Sequence, residues 1–478
     1  MKYYWTRFSF YYPAVIIYML QGSNYIIKDY LKWLHRSSDF RKVIRRRQLD
    51  HTIKAVLMLS IAWLVLAVIY VIAVIMFLQA VSLVNVILVF LSVLLFMVAP
   101  WFLGYVIIVP LWFGSIFIQR PHHNKLVREA KQIFSNSQAL KIAIAGSFGK
   151  TTAKEVLYAV LSEGKNVVRT PGNMNTVIGI SRFAQTLDGN EDVIIFELGE
   201  EKVGDVKELC ELVNPDMGII TGVNEAHLSS FGTIDRTIAT IFELQDYLGD
   251  KTLYKNIESP LVASKVKDSE KFAYNKKGSD GWRVSRIKTN IHGMEFVAEK
   301  DSKTVFAHSG LLGEYNVGII ATAISIADSV GLTISQIADG IKKTMPFDHR
   351  MQPRQLHGAW LIDDTYNGNS EGVQAGLLLL KSLEAKRRVY ITPGLVEQGD
   401  KTKEIHEKIG RQIAKVADVV VLMQNSVTDY ISNGLQDGKF RGQLLVVDNP
   451  LEFYTNLDHF VASGDVVLMQ NDWPDNYV

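Results

Sequence analysis

Gly146-Ser147-Phe148-Gly149-Lys150-Thr151-Thr152 is the segment of this chain whose residue types and spacing point most directly to chemistry. It follows the apolar run Ile142-Ala143-Ile144-Ala145 and precedes a helical pattern, so a strand runs into a glycine turn and then a helix. In that context the glycines let backbone N–H groups approach a phosphate, and the helix N-terminus adds partial positive charge. Lys150 supplies a point charge, and a threonine hydroxyl can reach Mg²⁺. The usual phosphate-loop spacing asks for a glycine six positions before the lysine, where this chain has Ile144. The shorter Gly-x-x-Gly-Lys-Thr-Thr form remains, and Gly146, Ser147, Gly149, Lys150, Thr151 and Thr152 are the candidate nucleotide-binding residues.

Other polar residues stand where apolar strands end. Taken singly, Glu197 reads as a solvated strand end, His227 as a helix-cap histidine, and Asp363 and Asp364 as turn formers. Their order along the chain carries more information than any one of them. Thr170-Pro171-Gly172-Asn173-Met174-Asn175 is followed by Phe196-Glu197-Leu198-Gly199 and by Glu225-Ala226-His227-Leu228 with Phe231-Gly232-Thr233. Gly313-Glu314-Tyr315-Asn316, Asp363-Asp364-Thr365-Tyr366-Asn367-Gly368-Asn369, Thr392-Pro393-Gly394 and Glu397-Gln398-Gly399 complete the series.

In that order these segments resemble the Mur ligases, especially the D-alanyl-D-alanine-adding branch, from about Leu140 almost to the C-terminus. The resemblance implies an ATP-dependent ligase that passes the γ-phosphate to a substrate carboxylate, giving an acyl phosphate that an amine attacks. Such catalysis is mostly charge neutralisation and positioning. It implies catalytic roles for Lys150, Glu197 and His227, with Thr151, Glu197 and His227 holding Mg²⁺. It places Asn316, Asp364, Tyr366 and Asn367 on the nucleotide, and Asn173, Asn175 and Asn369 on substrate. The implied partners are a carboxylate acceptor, either a UDP-muramyl peptide or a lipid-linked precursor, and an amino acid or dipeptide.

The chain departs from that family in three places. Ile241 stands where the family has a carbamylated lysine that binds a second metal, and no lysine occurs between Lys207 and Lys251. This throws more of the metal-binding load on His227 and Glu243, or lowers activity. Gln470-Asn471-Asp472-Trp473-Pro474 replaces the family's Lys-Gly-Ser. A strongly apolar region also stands in place of the family's soluble substrate-binding domain.

The elements that must position these residues follow an α/β pattern. Candidate strands are Lys141 to Ala145, Val193 to Glu197, Met217 to Thr221, Trp360 to Asp363, Arg388 to Thr392, Val419 to Leu422 and Val466 to Met469, with helices between them. The polar alternation from Lys251 to Ser309 suggests an antiparallel insert. The family resemblance implies a Mur-ligase-like P-loop ATPase central domain over 124–346 and a smaller Rossmann-like C-terminal α/β domain over 347–478.

Residues 1–123 form the expected helical membrane region. Ala55 to Leu78 and Leu83 to Ile118 contain no charged residue, and the first is long enough to cross a hydrocarbon core of about 30 Å. Spans over about 55–78 and 83–118 are expected, linked through Gln79 to Ser82. Basic residues flank both, Arg41 to Arg47 before and Arg120 to Arg128 after, which predicts a hairpin in the cytoplasmic membrane with both ends and the catalytic domains in the cytoplasm. Membrane lipid is therefore an expected partner. Phe8 to Leu20, broken by Pro13, suits the interface or a third crossing. A net charge of +2 gives no basis for a nucleic-acid partner. The single cysteine, Cys210, reads as helix packing. Two other functions accommodate the nucleotide loop: a membrane-tethered NTPase, and a nucleotide-binding scaffold without ligase activity.

Overall fold

The computed structural model of the chain describes residues 4–471, apart from 24, 38–39, 41–48, 83–84, 173, 225–230, 267–271, 367, 396–397 and 399–400. It divides into two compact units, 1–125 and 126–478. In the first, helix Ile53–Ser82 is followed by helix Val86–Val106, which begins at the side-chain cap of Asn85 and contains Pro100. Among the described residues, Ile53–Ser82 and the run Val86–Asn136 are the two helices long and apolar enough to cross a membrane. Only 17% of the most apolar window of Ile53–Ser82 is buried against protein, unlike a soluble core helix. The helix runs on through the expected link to Ser82, because Ala80 and Val81 continue its apolar sequence and the next helix is capped only at Asn85.

Helix Tyr12–Gly22 packs its buried Ile16, Ile17 and Leu20 into a core with Met58, Ala62 and Leu103. Its 11 residues reach about 16 Å, roughly half a hydrocarbon core, so this helix alone is too short for a third crossing. The hydroxyl of Tyr30, on helix Ile27–Arg36, donates to the Gly104 carbonyl at 2.6 Å.

The second unit holds two sheets. The first contains β1 (Leu140–Ala145), β2 (Val167–Arg169), β3 (Val193–Glu197), β4 (Met217–Ile220), β5 (Leu253–Asn256), β6 (Ala273–Asn275), β7 (Gly278–Ser279), β8 (Trp282–Asn290), β9 (Gly293–Lys300) and β10 (Lys303–Ser309). Its order is β10-β9-β8-β7-β6-β5-β4-β1-β3-β2. The pairs from β2 to β6 are parallel and those from β6 to β10 antiparallel. Every residue of β3 and all but the first of β1 are buried, as parallel strands covered on both faces require. The expected insert over Lys251 to Ser309 is thus a continuation of the same sheet, and β5 and β6 pair parallel. Strands of four and three residues are too short to reveal their partner through periodicity.

The second sheet contains β11 (Gln352–Leu356), β12 (Ala359–Asp364), β13 (Arg387–Thr392), β14 (Val419–Met423), β15 (Gln443–Val447) and β16 (Asp465–Gln470). Their order is β11-β12-β16-β13-β14-β15, with only β11 antiparallel. The α/β fold class expected from the sequence is what the structure shows. Cys210 is buried in helix Asp205–Val213, where burial pushes its thiol up to about 12.

Helices Thr402–Ile413 and Thr428–Asp437 beside this sheet meet through glycine. A Cβ on Gly434 would stand 2.1 Å from the Glu407 carbonyl oxygen, and one on Gly410 2.2 Å from that of Ile431. Gly434→Leu is expected to destabilise the second unit by about 3 kcal/mol, since neither backbone can retreat without disturbing the sheet. Thermal unfolding of the variant at the wild-type midpoint would contradict this packing.

Candidate nucleotide site

The loop after β1 is built by close approach to β4, its parallel neighbour. Gly146 has φ +147°, and a Cβ there would lie 2.3 Å from the Thr221 hydroxyl oxygen. That hydroxyl donates to the Phe148 carbonyl at 2.5 Å, while Ser147 N–H donates to the Gly222 carbonyl at 2.8 Å. Gly149, at φ +78°, turns the chain into helix Lys150–Leu161. Ser147 Oγ is buried without a hydrogen-bond partner. The turn thus leaves a polar atom facing inward that a phosphate oxygen would satisfy.

Four side chains surround the start of that helix in two ion pairs. Lys150 Nζ lies 2.9 Å from both carboxylate oxygens of Glu200 and also donates to the Gly146 carbonyl. Lys154, one turn on and fully buried, donates to the Gly172 carbonyl at 2.7 Å. Its ammonium stands 2.9 Å from Glu197 Oε2, an ion pair outside hydrogen-bond geometry. Glu197 Oε1 accepts from the Thr151 hydroxyl at 3.2 Å, and Glu197 N–H donates to the Thr170 hydroxyl at 3.1 Å. Thr151 and Glu197 are hard oxygen donors side by side, and they suit Mg²⁺, which takes most of its remaining ligands from phosphate and water. Among the described residues no group of three His, Cys, Asp or Glu is placed to hold a metal ion alone.

A cleft of about 780 Å³ opens beside the loop. Phe148, Gly149 and Thr152 line one wall, and Asp364 at the end of β12, with Tyr366 and Asn369 in the segment after it, line another. Asn224 Nδ2 donates to Glu371 Oε2 at 2.6 Å, joining the loop after β4 to helix Ser370–Ser382. Asp364 accepts from Gln470 Nε2 at 2.8 Å and from Met351 N–H at 3.3 Å. Burial outweighs these bonds and the charge of Arg350, and it raises the carboxyl from 3.8 to about 6. Arg350 itself lies over the Tyr366 ring, 4.7 Å from its centroid.

Several residues read as ligand contacts already have structural partners. Asn369 Oδ1 accepts from Gly372 N–H at 2.8 Å and caps helix Ser370–Ser382. Asn316 Nδ2 donates to the Leu312 carbonyl at 2.8 Å, although the residue still lines the cleft. Asn175 contributes its carbonyl to Gly199 N–H at 2.8 Å. Asp363 is the turn former: it accepts from the Thr365 hydroxyl at 2.7 Å and faces His349 Nδ1 at 3.0 Å.

Glu243 corrects the expectation drawn from it. Its two oxygens accept from Gly204 N–H and Lys207 N–H, both at 2.9 Å, capping helix Asp205–Val213 from outside. Both its oxygens thus serve a helix cap, and Ile241 is wholly buried in the core. Asn173, His227 and Asn367 lie outside the described residues, as do Glu397, Gly399 and Asp472. The sequence missed Lys154, Glu200 and Arg350 and marked Gln470 only as a departure from the family. Lys154 was signalled by its i+4 spacing from Lys150, and Glu200 by its position three residues after Glu197.

The Mur ligase middle domain matches residues 144–327, and the Mur ligase glutamate ligase domain matches 349–470, together well over half of the chain. The chain belongs to the Mur ligase family. It is 27% identical over 288 residues to the UDP-N-acetylmuramoyl-tripeptide–D-alanyl-D-alanine ligase of Escherichia coli (strain K12), covering 58% of this chain and 62% of that protein. The corresponding Synechocystis ligase is 27% identical over 296 residues, covering 61% of this chain and 64% of that one. The chain thus spans a little under two thirds of the length of these two curated relatives. The crystal structure of MurF ligase from Thermotoga maritima in complex with ADP superimposes with a TM-score of 0.62 at 25% identity, covering 73% of this chain and 80% of that one.

Asp364 gives this Mur ligase a distinct pH signature. Its folded-state carboxyl titrates near 6, above the ordinary 3.8, so folding favours the protonated form. That contribution is complete below about pH 4 and is lost as the pH rises through 6, at a cost of about 3 kcal/mol. Wild-type stability relative to Asp364→Asn should fall by about that amount between pH 4 and pH 7. Chemical unfolding at a series of pH values reads the difference, and a constant one would remove the titration from Asp364.

Proposed function

We propose that this Mur ligase is an ATP-dependent amide-forming ligase that joins an amine to the carboxylate of a cell-wall precursor. The observation that carries the reading is the cleft itself, where Phe148, Gly149 and Thr152 at the loop and the head of its helix share one cavity with Asp364 and Tyr366, while Thr151 bonds Glu197 at the same helix start. In this reading Lys150 and the helix N-terminus hold the nucleotide phosphates, and Thr151 and Glu197 hold Mg²⁺. Bound Mg²⁺ would offset negative charge on the transferring phosphoryl group. The acceptor carboxylate takes the γ-phosphate, ADP leaves, and the amine then displaces phosphate from the acyl phosphate to form the amide. The second-sheet wall brings the amine and excludes water, which would otherwise hydrolyse the acyl phosphate. The similarity to UDP-N-acetylmuramoyl-tripeptide–D-alanyl-D-alanine ligases supports a muramyl peptide as acceptor and a dipeptide as amine.

The apolar helices support anchoring in the cytoplasmic membrane with the catalytic unit in the cytoplasm. That location favours an acceptor presented at the membrane surface. Buried Ile241, where the family resemblance calls for a carbamylated lysine, favours a second reading in which the chain binds nucleotide without ligation.

Full-length protein in detergent should release phosphate from ATP only when Mg²⁺, a muramyl tripeptide acceptor and D-alanyl-D-alanine are all present. Lys150→Ala should lower that release at least about a hundred-fold. Release that ignores the amine would indicate an NTPase, and tight ADP binding without release on soluble or lipid-linked acceptors would establish the scaffold. For topology, Ser82→Cys should react with a membrane-impermeant maleimide added from outside spheroplasts, while buried Cys210 stays unlabelled. Labelling of Ser82→Cys only after lysis would overturn the hairpin orientation.

A further inference from the structure

Glu200 is the acidic residue at the phosphate loop that the reaction does not call for. Both its oxygens lie 2.9 Å from Lys150 Nζ, and its side chain is only 2% exposed. Glu197 serves a different lysine, Lys154, so the two carboxylates cancel the two ammonium charges at the head of helix Lys150–Leu161. We propose that Glu200 makes nucleotide binding conditional on the divalent cation, so that the loop accepts a magnesium–nucleotide complex and rejects the free polyphosphate. This rests on the nucleotide reading above and goes beyond it.

A polyphosphate that reaches Lys150 must share it with Glu200 or take it away. Either way a buried carboxylate, already stripped of water, comes to face a multiply charged anion at short range. Like charges in a partly desolvated site repel far more strongly than in bulk water. A nucleotide carrying Mg²⁺ has two fewer negative charges and brings a cation close to the carboxylate. The same bound geometry is therefore penalised without metal and relieved with it. Glu200 touches Lys150 rather than any reacting atom, so it is a positioning and selectivity residue. A merely structural brace for Lys150 would behave differently: its loss would weaken binding in both conditions.

The test is ADP affinity of the full-length protein in detergent, measured by calorimetry with Mg²⁺ and with EDTA. Wild type should bind at least about thirty-fold more weakly in EDTA. Glu200→Gln should bind ADP in EDTA at least about ten-fold more tightly than wild type and lose most of the metal dependence. Glu200→Ala gives the same comparison should the glutamine variant fail to fold, and Glu200→Asp should restore the dependence. Unchanged or weaker metal-free binding in Glu200→Gln and Glu200→Ala overturns the inference while leaving the nucleotide site intact. Wild type that binds no ADP even with Mg²⁺ overturns both, and Lys150→Ala serves as the non-binding reference.

Discussion

The nucleotide loop depends on how closely its backbone lies against the strand beside it. Gly146 approaches Thr221 so nearly that no side chain fits between them, and the Thr221 hydroxyl is spent on the loop's own Phe148 carbonyl. A Cβ at Gly222 would stand 2.2 Å from the Phe148 ring. β1 and β4 must therefore be neighbours in register before the turn can close, which makes the loop a product of the sheet rather than a local motif. The parallel strands supply this rigidity through burial on both faces, and the helix that follows inherits its direction from them. The phosphate binding proposed here would be a consequence of tertiary structure as much as of glycine content.

The second constraint is charge. Lys150, Lys154, Glu197 and Glu200 have side-chain exposures of 13% or less, so none is neutralised by bulk water. Buried pairs of this kind add little to stability, because the desolvation of four ions offsets most of their attraction. What they fix is geometry, since Glu200 faces Lys150, Glu197 faces Lys154, and each lysine also donates to a backbone carbonyl. Glu197 keeps its other oxygen on Thr151, in the orientation a hard cation needs. Across the cleft Asp364 has no such cation in contact. Its hydrogen bonds come from the neutral Gln470 and from Met351 N–H, and burial raises its carboxyl in spite of them. The two walls thus differ in kind: one is paired and rigid, the other carries a carboxyl that titrates near neutrality.

How much of this was legible in the sequence follows from the range of each interaction. The central strands were readable because burial on both faces writes an uninterrupted apolar run, as in Val193 to Glu197. Three of the strands that went unread, Val167–Arg169, Gln352–Leu356 and Gln443–Val447, are edges, where one side meets solvent and the apolar signal is diluted. The phosphate loop was readable from its glycines and lysine. Glu200 was signalled only by its spacing from Glu197, because nothing at positions 196–200 says which of two glutamates meets which of two lysines. Asp364 depends on Gln470, 106 residues away. Glu243 misled for a related reason. An acid at the right spacing from Ile241 looks available on paper, but the amides of Gly204 and Lys207 claim it from another helix.

Ile241, where the family resemblance calls for a lysine, and the buried acid Glu200 bear on the same question. Residue 241 is sealed in apolar core, so no water-filled space remains there for a second metal ligand. The carboxylate at 200 sits instead against Lys150, where the charge of a polyphosphate would be concentrated. The anchoring proposed above would add a reason for tight control. Confinement to a membrane raises the local concentration of a ligase for acceptors held in the same plane, and does nothing for its supply of soluble nucleotide. The acceptor is thus the substrate whose encounter improves, while discrimination among nucleotide forms is left to the loop. A buried carboxylate against the phosphate-binding lysine supplies that discrimination from within the fold.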